Sequence, residues 1–358
     1  MSDPRPVLLA TNLVPPDRVG AYATLHEREG IELALFGGRS HHATGGVEDP
    51  GVPHRRVAQR AVFGLAASGR YRAVIAGTTG RVALPAAWLG ARRARVPFLL
   101  WTAFWAHPRT PAFLLAGTPL LLAAYRRADA VITYGPHVSA FVATRGARNV
   151  HAAAQAVDAE FWSAPAESPR RPEGAGFVAL FVGRGARYKG EPELLAAWRR
   201  ADLGADARLV LVGERPAGAD PLPPGAVSVG AVPPPELRNF YAGADVLVMP
   251  AIATRRTTEP WGLVANEAMH QGLPVIATDA VGAAAGGLVR HERNGLVVPA
   301  GDVDALAAAL RRLRDEPELR ARLGAAAGAD VAAYTHEAWA AGVSAALASV
   351  GAGRLEER

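Results

Sequence analysis

Short, continuously apolar runs recur along the chain, separated by stretches where apolar and polar positions mix at helical spacing. In the first half the apolar runs are Val7–Ala10, Ile31–Phe36, Ala73–Ala76, Phe98–Trp101 and Ala130–Thr133. Helical composition covers Gly20–Glu29, Val57–Ala67, Val82–Arg93 and Ala112–Arg127 between them. The second half repeats the alternation. Its strands are predicted at Phe177–Val182, Leu209–Val212, Val227–Val229, Val246–Met249, Val275–Thr278 and Leu296–Val298. Its helices are predicted at Pro192–Ala201, Pro235–Ala242, Leu263–Gln271 and Val303–Leu313. Strands apolar on both faces, alternating with helices, predict parallel sheets covered on both sides. The Pro-rich polar stretch Ser163–Gly174 reads as the linker between two doubly wound α/β domains. Ligands in such sheets bind at the carboxyl ends of the strands.

With 358 residues, the length suits two cores. There is no cysteine, which excludes disulfides and thiolate metal sites. No apolar run reaches the roughly 18–20 residues that span a bilayer. The nearest, Pro111–Tyr125, is broken by Gly117 and Pro119. It reads as a buried helix in preference to an amphipathic membrane element. With no apolar signal region behind Met1, the expected location is the cytoplasm.

Charge changes the picture. Residues 1–170 carry 19 arginines against 11 acids, and residues 171–358 carry 20 basic residues against 22 acids. A basic first half suits an anionic partner such as a lipid phosphate or membrane surface, though arginine-rich coding on a solvated surface explains it equally. No nucleic-acid-binding signature accompanies it.

Of the 39 basic residues, one is lysine: Lys189, in the glycine-rich turn Gly183–Gly190 that follows an apolar strand. Glycines let backbone N–H groups approach an anion, and Arg184 and Lys189 add charge. The turn is neither a P-loop nor a good dinucleotide fingerprint. A second segment runs Thr258-Glu-Pro-Trp-Gly-Leu-Val-Ala-Asn-Glu-Ala-Met269. It places Glu259 before a helix opened by Pro260 and Glu267 about two turns further in. The N–H groups around Trp261, Gly262 and Leu263 are candidates for an anion, and carboxylates accept from sugar hydroxyls. Taken singly, Glu259 reads as a dipole-complementing acid and Glu267 as a solvated one. Asp302-Val-Asp304 reads as a helix N-cap, not a metal motif. His41-His42, in a glycine-rich loop without nearby acids, reads as exposed.

The run Glu259–Ala277 resembles the Glu-x7-Glu signature of retaining family 4 glycosyltransferases, the glycosyl transferases group 1. Asn294–Asp302, Val182-Gly-Arg-x4-Lys-Gly190 and Ala154-Gln-Ala-Val-Asp158 resemble companion segments of that family. The resemblance implies a GT-B fold, two Rossmann-like domains facing a central cleft. It places an acceptor-binding domain at 1–165, a nucleotide-sugar domain at 166–335, and a last helix within 336–358 crossing back to the first. It implies transfer of a sugar from a nucleoside diphosphate sugar to a hydroxyl acceptor, with retention, no metal and no cofactor. The acceptor class it suggests is a glycan, glycolipid or lipid-linked sugar of bacterial envelope polysaccharide synthesis, with a peripheral membrane contact through the basic first domain. Arg184 and Lys189 would hold the diphosphate, with Gly183 in the same loop. Glu259 would bind the donor sugar with the backbone of Trp261, Gly262 and Leu263. Glu267 would accept from the ribose, and Gly20 would face the donor phosphates and acceptor. The family's N-terminal histidine has no counterpart in place; the nearest is His107, several positions late in Trp101–His107. Two alternatives remain at this level: a nucleotide-sugar epimerase of the same fold, and a non-catalytic binding subunit.

Overall fold

The computed structural model describes residues 3–37, 47–216 and 218–354. His41-His42 lies outside them. The chain divides into two compact units, residues 1–158 with 334–358, and residues 159–333.

The first unit opens with β1 (Val7–Thr11), α1 (Val19–Glu29), β2 (Ile31–Leu35), β3 (His54–Arg56) and α2 (Val62–Ala66). It continues with β4 (Ala73–Gly77), α3 (Ala83–Ala94), β5 (Phe98–Thr102), α4 (Thr118–Arg127), β6 (Ala130–Thr133), α5 (Pro136–Ala143) and β7 (Val150–Ala152). All seven strands are parallel, in the order β3-β2-β1-β4-β5-β6-β7. The central strands β1, β2 and β5 are buried at every position, as their unbroken apolar runs require. The sheet reverses its winding between β1 and β4, so the β1–α1 loop opens at the switch point.

The second unit holds α6 (Ala159–Ser163), β8 (Phe177–Val182), α7 (Glu191–Ala201), β9 (Ala207–Val212), β10 (Ala226–Gly230), α8 (Pro234–Gly243) and β11 (Val246–Met249). It closes with α9 (Val264–His270), β12 (Val275–Thr278), α10 (Gly282–Ala285), β13 (Gly295–Val298), α11 (Val303–Asp315) and α12 (Pro317–Val331). The strand order is β10-β9-β8-β11-β12-β13, again parallel, with the switch between β8 and β11. Asp302 caps α11 by accepting from the Ala305 N–H at 2.9 Å, as the sequence suggests.

The chain then returns to the first unit as α13 (His336–Ser349). Trp339 of this helix packs against Tyr22 and Trp101, each at 5.8 Å between ring centroids, and is buried. A buried ion pair secures the segment beyond α13. Arg72 meets Glu29 at 2.7 Å, its Nε donates to the Ala352 carbonyl, and Glu29 accepts from the Arg354 N–H.

Three sequence expectations change. The stretch read as a linker belongs to the second unit, because the Ser168 and Arg170 N–H groups donate to Asn239 of α8. The helix expected over 112–127 divides into a wide π-type turn, Phe113–Gly117, and α4. Only the second part buries an apolar face, through Leu121, Ala124 and Tyr125. Leu114 and Leu115 stand exposed, at 53% and 84%. Finally, β3, β7, α5 and α12 carry no clear signal in the sequence. Among the described residues, no helix is long and apolar enough to cross a membrane.

Candidate functional site

In the second unit the loops that leave β8, β9, β11 and β12 meet at the carboxyl ends of the strands. Gly190 ends the glycine-rich turn at φ +76, and a Cβ there would collide with the Pro250 carbonyl beyond β11. Only glycine satisfies both demands. The Ile252 N–H donates to the Tyr188 carbonyl at 2.9 Å, tying the two loops together. The turn is also fixed to the β9 loop, where the Gly185 N–H donates to the Glu214 carbonyl at 2.7 Å. Arg215, in that loop, pairs with the buried Glu191 at the start of α7 at 2.6 Å.

This bracing brings Lys189 and Glu259 into direct contact. Nζ of Lys189 lies 2.5 Å from Oε2 of Glu259, with side chains only 18% and 7% exposed. Burial opposes the ammonium charge, but the Glu259 carboxylate and the Tyr188 phenol outweigh it, and the Lys189 pKa is raised. The ammonium also sits 5.5 Å from the Tyr188 ring centroid. Burial pushes the Tyr188 phenol up against the opposing charges of Lys189 and Arg184, so Arg184 shares the neighbourhood. The two charged ends line one small recess with Phe181, Met249 and Val264.

The turn after Glu259 is anchored from both sides. The Gly282 N–H donates to the Glu259 carbonyl and the Ala283 N–H to the Trp261 carbonyl, at 3.1 and 2.8 Å. The buried Trp261 donates its indole N–H to Asn266 at 2.8 Å. Gly262 holds φ +92, a conformation that L side chains rarely adopt. Its free side meets the Met249 methyl, which would have to shift to admit Ala. Leu263 precedes the first residue of α9. Glu267, one turn into α9, accepts from the Tyr241 hydroxyl at 2.6 Å. Burial and this carboxylate push the tyrosine pKa well up, so the phenol stays a donor.

Six of the ten candidate residues thus gather in one place: Gly183, Arg184 and Lys189 in the first loop, and Glu259, Trp261 and Gly262 in the second. Leu263 and Glu267 follow on the same turn and helix. His107 and Gly20 belong to the first unit. The His107 ring is stacked on Tyr125 (5.8 Å, 19°) and edge-on to Phe141 (5.1 Å, 79°). Its Nε2 lies 3.2 Å from the Tyr125 hydroxyl. Burial, with a smaller push from Arg145, lowers its pKa to about 4. This is the environment of a neutral packing histidine. Gly20 lies against the ring of His336. Sequence reasoning missed Tyr241, Tyr188 and the Glu191–Arg215 brace. Each occupies an ordinary helix or loop position, and only the three-dimensional contact marks it.

Residues 167–330, which lie within the second unit, match the family model of the Glycosyl transferases group 1. A D-inositol 3-phosphate glycosyltransferase of Pseudarthrobacter chlorophenolicus is 37% identical over 169 residues, 42% of this chain and 37% of that protein. The chain spans less than half the length of the curated relatives it matches. Among solved structures, Anabaena HepE in complex with UDP and glucose superposes with a TM-score of 0.75 at 18% identity, covering 96% of this chain and all of that one. Sucrose-phosphate synthase from Thermosynechococcus elongatus gives a TM-score of 0.70 at 21% identity, covering 97% and 99%. These likenesses show the fold: two parallel-sheet α/β units of the GT-B type.

Proposed function

We propose that this protein is a retaining glycosyltransferase that moves a sugar from a nucleoside diphosphate sugar to a hydroxyl acceptor. The observation that carries the reading is the Lys189–Glu259 pair at the switch point of the second sheet. A buried cation and a buried carboxylate, side by side at strand ends, suit a ligand that carries a diphosphate next to a polyhydroxylated ring. In this reading Lys189 leaves Glu259 and, with Arg184, takes the diphosphate and offsets the charge of the leaving group. Glu259 then accepts from the donor sugar's hydroxyls, and the turn Trp261–Leu263 orients it. Glu267, already held by Tyr241, accepts from the ribose. Gly183 and Gly190 keep the backbone close to the phosphates. No metal or cofactor is required, because the protein's own cations face the leaving group.

The reaction exchanges one C–O bond for another. The anomeric carbon loses its bond to the diphosphate oxygen and gains one to the acceptor oxygen on the same face. The acceptor's proton passes to the departing phosphate oxygen. His107 has no step, since its ring is held among aromatic residues. The relatives named for D-inositol 3-phosphate, and HepE solved with UDP and glucose, favour a polyol-type acceptor and a uridine donor. Envelope glycan synthesis at the inner face of a membrane fits the exposed Leu114 and Leu115 beside the exposed Arg109.

Thermal-shift titration with UDP, GDP, ADP and TDP and their sugar forms tests the proposal, with Lys189→Ala and Glu259→Ala alongside. One base series should stabilise the wild type. Lys189→Ala should abolish that shift, and Glu259→Ala should remove only the part added by the sugar. A wild type unmoved by every nucleotide would sink the reading. Conversion of donor to an isomeric sugar nucleotide without acceptor would favour an epimerase instead.

A further inference from the structure

Arg18 precedes α1 at the switch point of the first sheet, and it is unusual for an arginine in being only 6% exposed. Its Nη1 is buried without a hydrogen-bond partner. Among the described residues no carboxylate forms an ion pair with it. The Tyr134 ring, 5.8 Å from the guanidinium carbon, faces the cation but cannot accept its N–H groups in the way an anion does. A buried cation with an unused donor is costly unless something negative completes it.

Two neighbours bear on it. α1 has no side-chain cap of its own, but the turn leading into it, Pro16–Arg18, carries Asp17, and the Val19 N–H donates to the Pro16 carbonyl, so this helix end is already engaged. His336, at the start of α13, has its ring against Gly20 and a buried Nε2 with no partner. Burial lowers the pKa of His336, and the charge of Arg18 adds to this against the opposing pull of Asp158, Glu337 and Asp17. A neutral histidine and a fixed cation therefore stand together at the β1–α1 loop, the place where open α/β sheets take ligands.

We propose that Arg18, with His336, binds a phosphoryl group carried by the acceptor. This rests on the transferase reading. The donor's diphosphate has its own cations, Arg184 and Lys189, in the other unit. A second phosphate-binding arginine in the first unit therefore points to charge on the other substrate. A guanidinium can give two parallel N–H bonds to such a group, a fork that phosphate chemistry favours over a single ammonium.

The test compares wild type, Arg18→Met and Arg18→Lys by calorimetry. The probes are inositol 3-phosphate, with inorganic phosphate as its competitor, and the nucleoside diphosphate that binds the wild type best. Arg18→Met keeps the aliphatic stem, and circular dichroism checks that each variant folds. Should Arg18→Met disturb Tyr134, Arg18→Lys keeps the charge without the fork. The expected result is inositol 3-phosphate binding that inorganic phosphate competes away. Arg18→Met should weaken it at least tenfold and Arg18→Lys by less, with nucleoside diphosphate affinity unchanged in both. Loss of nucleoside diphosphate affinity in Arg18→Met would assign Arg18 to the donor and overturn the proposal. So would unchanged affinity for every probe in a folded Arg18→Met, or a wild type that ignores inositol 3-phosphate and inorganic phosphate alike. In each of these cases nucleotide binding that depends on Lys189 would leave the transferase reading standing.

Discussion

The Lys189–Glu259 pair should behave as a coupled unit with an asymmetry set by burial. Removing one partner of a buried ion pair costs about 3–5 kcal/mol, because the other charge is left uncompensated. Lys189→Met strands a carboxylate that is only 7% exposed, so it should cost about 3 kcal/mol. Glu259→Gln leaves an ammonium that is 18% exposed and faces the Tyr188 ring, so it should cost less, about 2 kcal/mol. The double variant removes both charges, and its cost should fall short of the sum by about 1.5–3 kcal/mol. Urea denaturation of the four proteins measures the cycle. Scanning calorimetry provides a second readout: about 3 kcal/mol corresponds to roughly 6–12 °C in the melting of a unit this size. Saturating nucleoside diphosphate should shrink the coupling, since the phosphates then compete with Glu259 for the ammonium. Costs that add to within about 0.5 kcal/mol, or a larger loss from Glu259→Gln, would refute the reasoning.

Three other expectations come from the same geometry. His107 has a folded pKa near 4 against an ordinary 6.5, so its contribution to stability is complete above about pH 6.5 and is lost as pH falls toward 4. Because the ring is only half-buried, that loss should be about 1–2 kcal/mol. His107→Phe should flatten the stability profile in this window, and an unchanged profile would count against the aromatic-cage description. Tyr241→Phe removes the donor to Glu267 and should cost about 1.5–2 kcal/mol by denaturation; it should weaken nucleoside binding and spare free phosphate. For the membrane contact, vesicles with anionic lipid should sediment the wild type at low salt and should release most of Leu114→Ser/Leu115→Ser. Equal binding by both proteins would remove that surface from consideration.

Much of the fold is legible in the sequence because parallel central strands are buried on both faces. Val7–Ala10 and Phe177–Val182 have no polar position to confuse the reading. The strands that escape notice are at an edge. His54–Arg56 and Val150–Ala152 pair on one side only, so their side chains need not be apolar and their composition reads as loop. Helix α12 hides for another reason. Its buried positions include Gly324 and Ala327, small residues spaced among other alanines, so no apolar stripe stands out.

The site divides along the same physical line. Lys189, Glu259 and their glycines are legible because they deviate from the local composition: one lysine among arginines, and carboxylates inside an apolar run. Arg18 and His336 deviate from nothing. One is an arginine in an arginine-rich chain, and the other is a histidine at the start of a helix more than 300 positions away in the numbering. Their meaning comes from burial without a partner, and burial is a property of the fold. A residue's type can announce chemistry only where the surrounding sequence would have predicted something else. Where the surroundings predict the same residue, the cost of an uncompensated buried charge is the remaining signal. Arg18 carries that signal as a charge, His336 only as a neutral acceptor or donor. A phosphoryl group there would therefore be held first by the arginine. His336→Gln should weaken inositol 3-phosphate binding less than Arg18→Met, and the reverse order would shift the centre of that site from the guanidinium to the imidazole.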